Sequence, residues 1–134
     1  MSLTESCVAA MVLATSMTVA LPALSRTMDA YKLQSAASSV AATMQSARIA
    51  AITRNRDCRI SVTSAMTYLL ECDEGSWKVV QRFEMPGRIT IEANARPEFH
   101  RRGNVSPTAT LTVRNSVGGV KRVIVNVNGR VRIQ

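Results

Sequence analysis

Near the N-terminus stands SCVAAMVLATSMTVALPALS, residues 6–25, a run of 20 residues without a charged side chain. A helix of this length extends about 30 Å at roughly 1.5 Å per residue, which matches the hydrocarbon core of a bilayer. The run is only mildly apolar, because alanine is common and Ser6, Thr15, Ser16 and Thr18 lie within it. We predict a membrane-spanning helix that is able to leave the membrane again.

The charges on either side of this run argue against an ordinary secretory signal or signal anchor. No basic residue precedes it, and the carboxylate of Glu5 lies at its N-terminal end. The nearest positive charges, Arg26 and Lys32, follow the run and would be expected on the inner side of the membrane. We therefore expect Met1 to be a processed N-terminus whose precursor carried a short basic leader.

The first residues, MSLTE, followed by an apolar helix with Pro22, resemble the mature start of a type IV pilin or pseudopilin. In that family a prepilin peptidase cleaves after a glycine, the new N-terminal residue is methylated, and a glutamate at position 5 pairs with a neighbouring subunit's N-terminal amine. The resemblance implies processing and methylation at Met1, where the family usually has phenylalanine, and assembly roles for Glu5 and Pro22. A carboxylate at the edge of hydrocarbon also needs a neutralising partner. The alternative is an interfacial glutamate at the end of an unrelated anchor.

Beyond Pro22 the apolar residues keep a helical period. They recur at steps of three and four residues and are Leu33, Ala36, Ala37, Val40, Ala41, Met44, Ala47, Ala51 and Ile52. We predict one helix from about residue 2 to residue 54, with a kink or a local break before Pro22. The predicted division is a membrane-spanning half over residues 1–25, an amphipathic half over 26–54 and an antiparallel β head over 55–134.

A period of two replaces the helical period after Asn55. The segments RDCRISVT (56–63) and TYLLEC (67–72) predict a hairpin centred on Ala65. In this register the facing pairs are Cys58 with Cys72, Arg59 with Glu71, Ile60 with Leu70, and Val62 with Tyr68. Opposed cysteines on adjacent strands can form a disulfide, which would place the head in an oxidising compartment such as a periplasm. Reduced buried thiols are the alternative, and two sulfurs without a nearby histidine make only half a zinc shell.

Further strands are predicted by alternation and turn residues. They cover residues 76–83, 88–93, 108–114, 120–127 and 130–133, the last of them after a two-residue hairpin turn at Asn128-Gly129. The predicted fold class is α+β and pilin-like, a long N-terminal helix packed on a small antiparallel β head. We expect Trp77 to pack in the core or at a sheet edge.

The C-terminal half is similar to the GspH/FimT family. The similarity lies in PEFHRRG (97–103), the Gly118-Gly119 turn and the ending GRVR (129–132), together with a helix end at residues 47–55. Members are minor pseudopilins of type II secretion or minor pilins of type IV pili, with a long helix on a sandwich-like head. Some FimT-type members bind DNA for natural transformation, and the terminal Gly-Arg-x-Arg motif implicated there maps onto Gly129, Arg130 and Arg132.

Positive charge is concentrated towards the C-terminus. The chain has 17 Lys and Arg against 9 Asp and Glu, and residues 99–134 contain 7 basic residues and no acidic one. We expect Arg130 and Arg132 on one face of an edge strand. Loops or strand ends carry the residues that could widen this patch: Arg101, Arg102, Lys121 and Arg122. Such a patch predicts salt-dependent, sequence-independent binding of phosphates, but edge protection, lipid head groups or acidic neighbours would also explain it.

Catalytic functions find little support in the sequence. His100 is the only histidine, and neither a Ser-His-Asp set, a Cys-His pair nor a metal-binding cluster has a recognisable context. We expect a non-enzymatic structural subunit without cofactor or metal, and a membrane-anchored periplasmic enzyme is the weakest hypothesis. Its expected partners are like or related pilin subunits, the prepilin peptidase and the bacterial inner membrane, from which it would pass into a periplasmic or extracellular filament. A DNA-binding minor pilin is the alternative, and pilus and secretion pseudopilus stay open.

Overall fold

A computed structural model describes residues 2–134, apart from the side chain of Val19. The chain forms two compact units, one ending at Lys32 and the other comprising Leu33–Gln134. The helix α1 (Leu3–Arg54) contributes to both units. The expected processing site, Met1, lies outside the described residues, and the three-part division at residues 25 and 54 stays a prediction.

Helix α1 runs without interruption through Pro22, so the local break allowed before this residue is not observed. Proline removes one backbone donor, and the turns on either side hold the helix together. The helix ends where the sequence predicts, because Asn55 adopts a left-handed conformation with φ of 52°. The Asn55 N–H donates to the Ile52 carbonyl and the Arg56 N–H to the Ala51 carbonyl, the bonding pattern of a Schellman motif.

The second unit contains eight strands in two antiparallel sheets. In chain order they are β1 (Cys58–Ser64), β2 (Thr67–Asp73), β3 (Trp77–Glu84), β4 (Thr90–Ala93), β5 (Glu98–Phe99), β6 (Ala109–Arg114), β7 (Val120–Val125) and β8 (Val131–Ile133). The first sheet has the order β3-β2-β1-β5 and the second the order β4-β6-β7-β8. The predicted antiparallel head on a long helix is confirmed.

One hydrophobic core joins both sheets to the second half of α1. The helix contributes small and medium side chains at the predicted spacing, and those fully buried are Leu33, Ala36, Ala37, Val40, Met44, Ala47 and Ala51. Ala41 is half-buried at the edge of this face. Ile52 is 48% exposed, so its assignment to the core face was wrong. It follows Ala51 directly and therefore lies about 100° further round the helix.

The hairpin register agrees with the sequence prediction. All four predicted pairs are present, namely Cys58 with Cys72, Arg59 with Glu71, Ile60 with Leu70, and Val62 with Tyr68. The register shifts only near the turn, where Ser64 lies opposite Thr67. Trp77 begins the edge strand β3 and stacks under the Arg59 guanidinium, whose carbon lies 4.1 Å from the ring centroid.

Two local predictions were incomplete or wrong. Strand β5 was not predicted, because two residues are too few to show an alternation. Between β7 and β8, the Asn126 N–H donates to the Arg130 carbonyl over 3.1 Å, and the Arg130 N–H donates to the Asn126 side-chain Oδ1 over 2.9 Å. This pair closes a tight loop of three residues, 127–129, rather than the predicted two. Gly129 adopts a left-handed φ of 79° as the last residue of that loop, where a three-residue hairpin requires it.

Candidate functional site

The helix begins with a reciprocal pair of hydrogen bonds between Ser2 and Glu5. The Glu5 N–H donates to the Ser2 hydroxyl oxygen over 3.3 Å, and the Ser2 N–H donates to Glu5 Oε2 over 3.1 Å. This is a capping box, in which two backbone donors without helical partners are satisfied by each other's side chain. Within a single chain, the Glu5 carboxylate therefore has a neutral hydrogen-bond donor as its partner.

The rest of the N-terminal unit presents apolar side chains outwards. Val8, Met11, Leu13 and Leu21 are each more than 60% exposed. Helix α1 is long and apolar enough, by length and composition, to cross a membrane. An exposed apolar helical surface of this extent requires lipid or protein around it.

Polar side chains inside this apolar surface are satisfied by the helix itself. The Thr15 hydroxyl donates to the Met11 and Val12 carbonyls, and the Ser16 hydroxyl donates to the Val12 carbonyl over 2.8 Å. The Thr18 hydroxyl donates to the Thr15 carbonyl over 2.8 Å. Because these hydroxyls need no water, they lower the cost of placing the segment in an apolar environment.

Cys58 and Cys72 form a disulfide in the buried centre of the first sheet. The bond joins β1 to β2 at the open end of their hairpin, far in sequence from the turn at Ala65. Cys7 is a free and exposed cysteine on the N-terminal half of α1. The expected disulfide is thus confirmed.

Arg48 links the end of the helix to two loops of the head. Its Nε donates to the Gly103 carbonyl over 3.0 Å, and an added Cβ at Gly129 would lie 2.7 Å from the same Nε. The loop with Arg101 and Arg102 therefore packs against the turn that precedes β8. Residues that the sequence places more than 25 positions apart are brought together at one end of the head.

The two terminal arginines, Arg132 in β8 and Arg130 directly before it, lie on one face of the chain. Arg130 and Arg132 are exposed, whereas Val131 and Ile133 are half-buried against the core. This alternation is the one predicted, and β8 lies at the edge of its sheet.

Lys121 and Arg122 lie on opposite faces of β7. Ile124 is opposite Arg132, and Arg122 is two residues from Ile124, so Arg122 shares the face of Arg132. Lys121 pairs with the buried Val113 and so belongs to the other face, at the end of the strand. Lys121 therefore does not share the sheet face that carries Arg122 and Arg132.

Five exposed arginines of the head have no acidic partners among the described residues. Within residues 2–134, no ion pair with a carboxylate involves Arg101, Arg102, Arg122, Arg130 or Arg132. All five side chains are exposed. We call these five arginines the basic surface, which is able to bind a polyanion without first breaking an internal ion pair.

Two contributions were missed by sequence reasoning. Ser2 completes the capping box with Glu5, and its signal is the Ser-x-x-Glu spacing at the start of the helix. Arg114 lies on the same sheet face as Arg122, because Arg122 pairs with Thr112, two residues before Arg114. Its NH2 group lies 3.9 Å from a Glu92 oxygen, so its charge is partly offset.

Comparison with known families and structures gives a consistent picture. The family model described as type II transport protein GspH matches residues 36–129. Among curated proteins, none matches this chain significantly.

Two solved structures share the fold. The type IV minor pilin FimU of Pseudomonas aeruginosa is 18% identical, with 78% of this chain and 89% of that chain covered and a TM-score of 0.65. The minor pseudopilin EpsH from the type 2 secretion system of Vibrio cholerae is 13% identical, with 77% and 96% covered and a TM-score of 0.67. At these identities the likeness concerns the fold, and it confirms the predicted pilin-like architecture.

Proposed function

Because this chain belongs to the GspH family of type II transport proteins, we propose that it is a non-enzymatic structural subunit of a type IV pilus or a type II secretion pseudopilus. The similarity to a minor pilin and to a minor pseudopilin supports both kinds of filament. In this proposal the inner membrane holds the N-terminal half of α1 until the subunit is extracted into the filament. A prepilin peptidase processes the precursor, and Met1 is the methylated residue.

The single observation that carries this proposal is helix α1 itself. Its first part is apolar, exposed and free of charge between Glu5 and Arg26, while its second part is buried in the core of the head. A helix with one exposed apolar half and one half buried in the head suits a filament subunit. Lipid would surround the exposed half in the membrane, and the helices of neighbouring subunits would surround it in the filament. Small residues along it allow close approach of those helices, and Pro22 lies within the exposed part.

Glu5 sets the register of assembly in this proposal. In the membrane its carboxylate accepts the Ser2 N–H, and in the filament it would accept the cationic amine of a neighbouring subunit. A charged donor gives a stronger bond than a neutral amide, so assembly improves the environment of the carboxylate. The Cys58–Cys72 disulfide supports a head that folds in an oxidising compartment such as the periplasm.

Filament incorporation of a Glu5→Ala variant tests the proposal. We expect the variant to be inserted and processed normally but to be absent from sheared filaments, as detected by immunoblotting. A Glu84→Ala variant, which removes an exposed carboxylate from the head, should be incorporated normally. Normal incorporation of Glu5→Ala would contradict the assigned role of Glu5.

A second candidate function is DNA binding by the basic surface. The observation that favours it is the contact between the Arg101–Arg102 loop and the Gly129 turn, which gathers arginines from distant parts of the sequence. Arginine binds phosphate oxygens through a planar fork of donors. Since aromatic side chains are rare here, binding would rest on phosphate contacts and fall steeply with salt.

DNA binding can be measured on the full chain in detergent micelles over a series of salt concentrations. Replacing Arg130 and Arg132 by Gln should weaken binding to all sequences and reduce the slope of log affinity against log salt by about 2. The control variant, Arg82→Gln with Arg88→Gln, removes the same charge from exposed positions outside the basic surface. Equal losses in the two variants would indicate a net-charge effect, and the basic surface would lose this role.

A further inference from the structure

Three metal-ligating side chains, Asp57, Glu98 and His100, meet on the outer face of the first sheet. One ligand atom of each residue lies within 4.8 Å of those of the other two. They lie next to the disulfide in the fold but outside the basic surface and the N-terminal helix. All three side chains are between 28% and 29% exposed, so they are sheltered without being closed to an ion.

The pairing of β1 with β5 creates this cluster. Cys58 lies opposite Phe99, and both are fully buried. Because neighbouring residues of a strand point to opposite faces, Asp57, Glu98 and His100 are directed away from the core on one shared face. The side chains therefore meet through the sheet register, although 41 residues separate Asp57 from Glu98.

The distances between the donor atoms suit a small divalent cation. His100 Nδ1 lies 3.4 Å from Asp57 Oδ2 and 3.9 Å from Glu98 Oε1. Ligands about 2.0–2.1 Å from a tetrahedral zinc are separated from one another by roughly 3.3 Å. The His100–Asp57 separation is already close to this value, and rotation about the side-chain torsions would have to bring the Glu98 carboxylate closer, since the three ligand atoms lie within 4.8 Å of one another.

Backbone contacts hold Asp57 in place from a second direction. Its Oδ1 accepts the Arg101 N–H over 3.3 Å, which leaves Oδ2 for the cluster. Its backbone carbonyl accepts the Asp73 N–H over 2.8 Å. Hydrogen bonds of this kind orient a ligating carboxylate in metal sites.

Negative charge in the cluster is not offset by a permanent cation. Among the described residues, Asp57 and Glu98 make ion pairs with His100 alone. Arg59, which lies opposite Glu98 in the sheet, instead pairs with Glu71 at 2.6 Å and stacks on Trp77. Two carboxylates and one imidazole thus share a site in which a divalent cation would neutralise the charge.

We propose that Asp57, Glu98 and His100 bind one divalent transition-metal ion of the zinc class, with water completing the coordination. Imidazole nitrogen selects such ions over magnesium and calcium, and calcium requires six to eight oxygen ligands where two carboxylates are present. The bound ion would tie the loop at Arg101 to the connection between α1 and β1. This links the metal to the order of one part of the basic surface.

Isothermal titration of the full chain in detergent micelles tests this proposal. The measurements use a Cys7→Ser background, because the exposed Cys7 thiol could itself bind zinc, and protein freed of metal by a chelator. We expect one zinc ion per chain, and no comparable binding of magnesium or calcium. His100→Gln and Glu98→Gln should each weaken zinc binding at least about tenfold, because loss of even an outer-shell partner of a metal ligand typically costs about 10- to 100-fold in affinity.

A Glu84→Gln variant provides the matched control, since it removes an exposed carboxylate away from the cluster. Its zinc affinity should equal that of the parent chain. Circular dichroism and thiol counting establish that the ligand variants retain their helix and disulfide. Absence of zinc binding by the parent, or equal binding by the His100→Gln and Glu84→Gln variants, would overturn the proposal and leave the cluster as an ion pair of His100 with two carboxylates.

Discussion

Gly129 lies directly against the backbone carbonyl of Gly103. A Cβ atom at Gly129 would be 2.5 Å from this oxygen and 2.7 Å from Arg48 Nε, closer than nonbonded atoms approach. Gly129 also has a φ of 79°, which favours glycine. The close packing of these two loops therefore requires glycine at the first position of the terminal Gly-Arg-x-Arg sequence, whether or not the sequence binds a ligand.

Gly129→Ala should destabilise the head, because the backbone conformation is strained for alanine and the added Cβ overlaps the Gly103 carbonyl. We expect the free energy of unfolding to fall by about 1–3 kcal/mol. Gly118→Ala is the matched control, because Gly118 has a φ of 89° but no heavy atom near its added Cβ. Chemical denaturation of both variants separates the two causes. A loss at Gly129 no larger than that at Gly118 would show that the contact with Gly103 contributes nothing.

The disulfide determines how many cysteines an alkylating reagent can label before and after reduction. Of the three cysteines, Cys7 alone should react with an alkylating reagent in unfolded, non-reduced protein, and all three should react after reduction. Reduction should also lower the free energy of unfolding by about 3 kcal/mol, the chain-entropy value for a loop of this size. Mass spectrometry counts the labels, and three labels before reduction would contradict the bond.

Tyr68 makes the stability of the head sensitive to alkaline pH. Burial raises the pKa of its phenol above 10.0, and the hydrogen bond with Thr43 opposes this shift. The folded state therefore holds the phenolic proton more tightly than the unfolded state does. The resulting contribution of Tyr68 to the free energy of unfolding is fully present below about pH 10 and is lost as the pH rises towards the folded pKa. Tyr68→Phe should flatten this fall in denaturant titrations, while Tyr31→Phe, at an exposed tyrosine, should leave it unchanged. An equal slope in the parent chain and Tyr68→Phe would contradict the assignment.

Local pattern was enough to predict the helix and the first hairpin. Small apolar residues at steps of three and four identified the buried face of α1. The hairpin register followed from chemically complementary residues placed symmetrically about the turn, Cys58 with Cys72 and Arg59 with Glu71. In each case the interacting residues are near neighbours in sequence, so a period or a symmetric pairing reveals them.

The pairing of strands that are distant in the chain could not be predicted from the sequence alone. Nothing in residues 97–100 shows that β5 joins β1, yet this pairing brings Asp57 to His100. The separation of the strands into two sheets depends likewise on partners distant in the chain. The faces of Lys121 and Arg122 could have been separated by strand alternation once the strand was assigned.

The assembly role of Glu5 can be separated from its capping role. Glu5→Gln keeps a side chain able to accept the Ser2 N–H but removes the charge, whereas Ser2→Ala removes one capping bond and keeps the charge. Loss of the cap should cost about 1 kcal/mol of local helix stability.

Incorporation of these two variants into filaments is the most direct test of the proposed function. We expect Ser2→Ala to enter sheared filaments at nearly the parental level and Glu5→Gln to be retained in the membrane. Normal incorporation of Glu5→Gln would contradict assembly through a charged Glu5 at the head of an extracted helix.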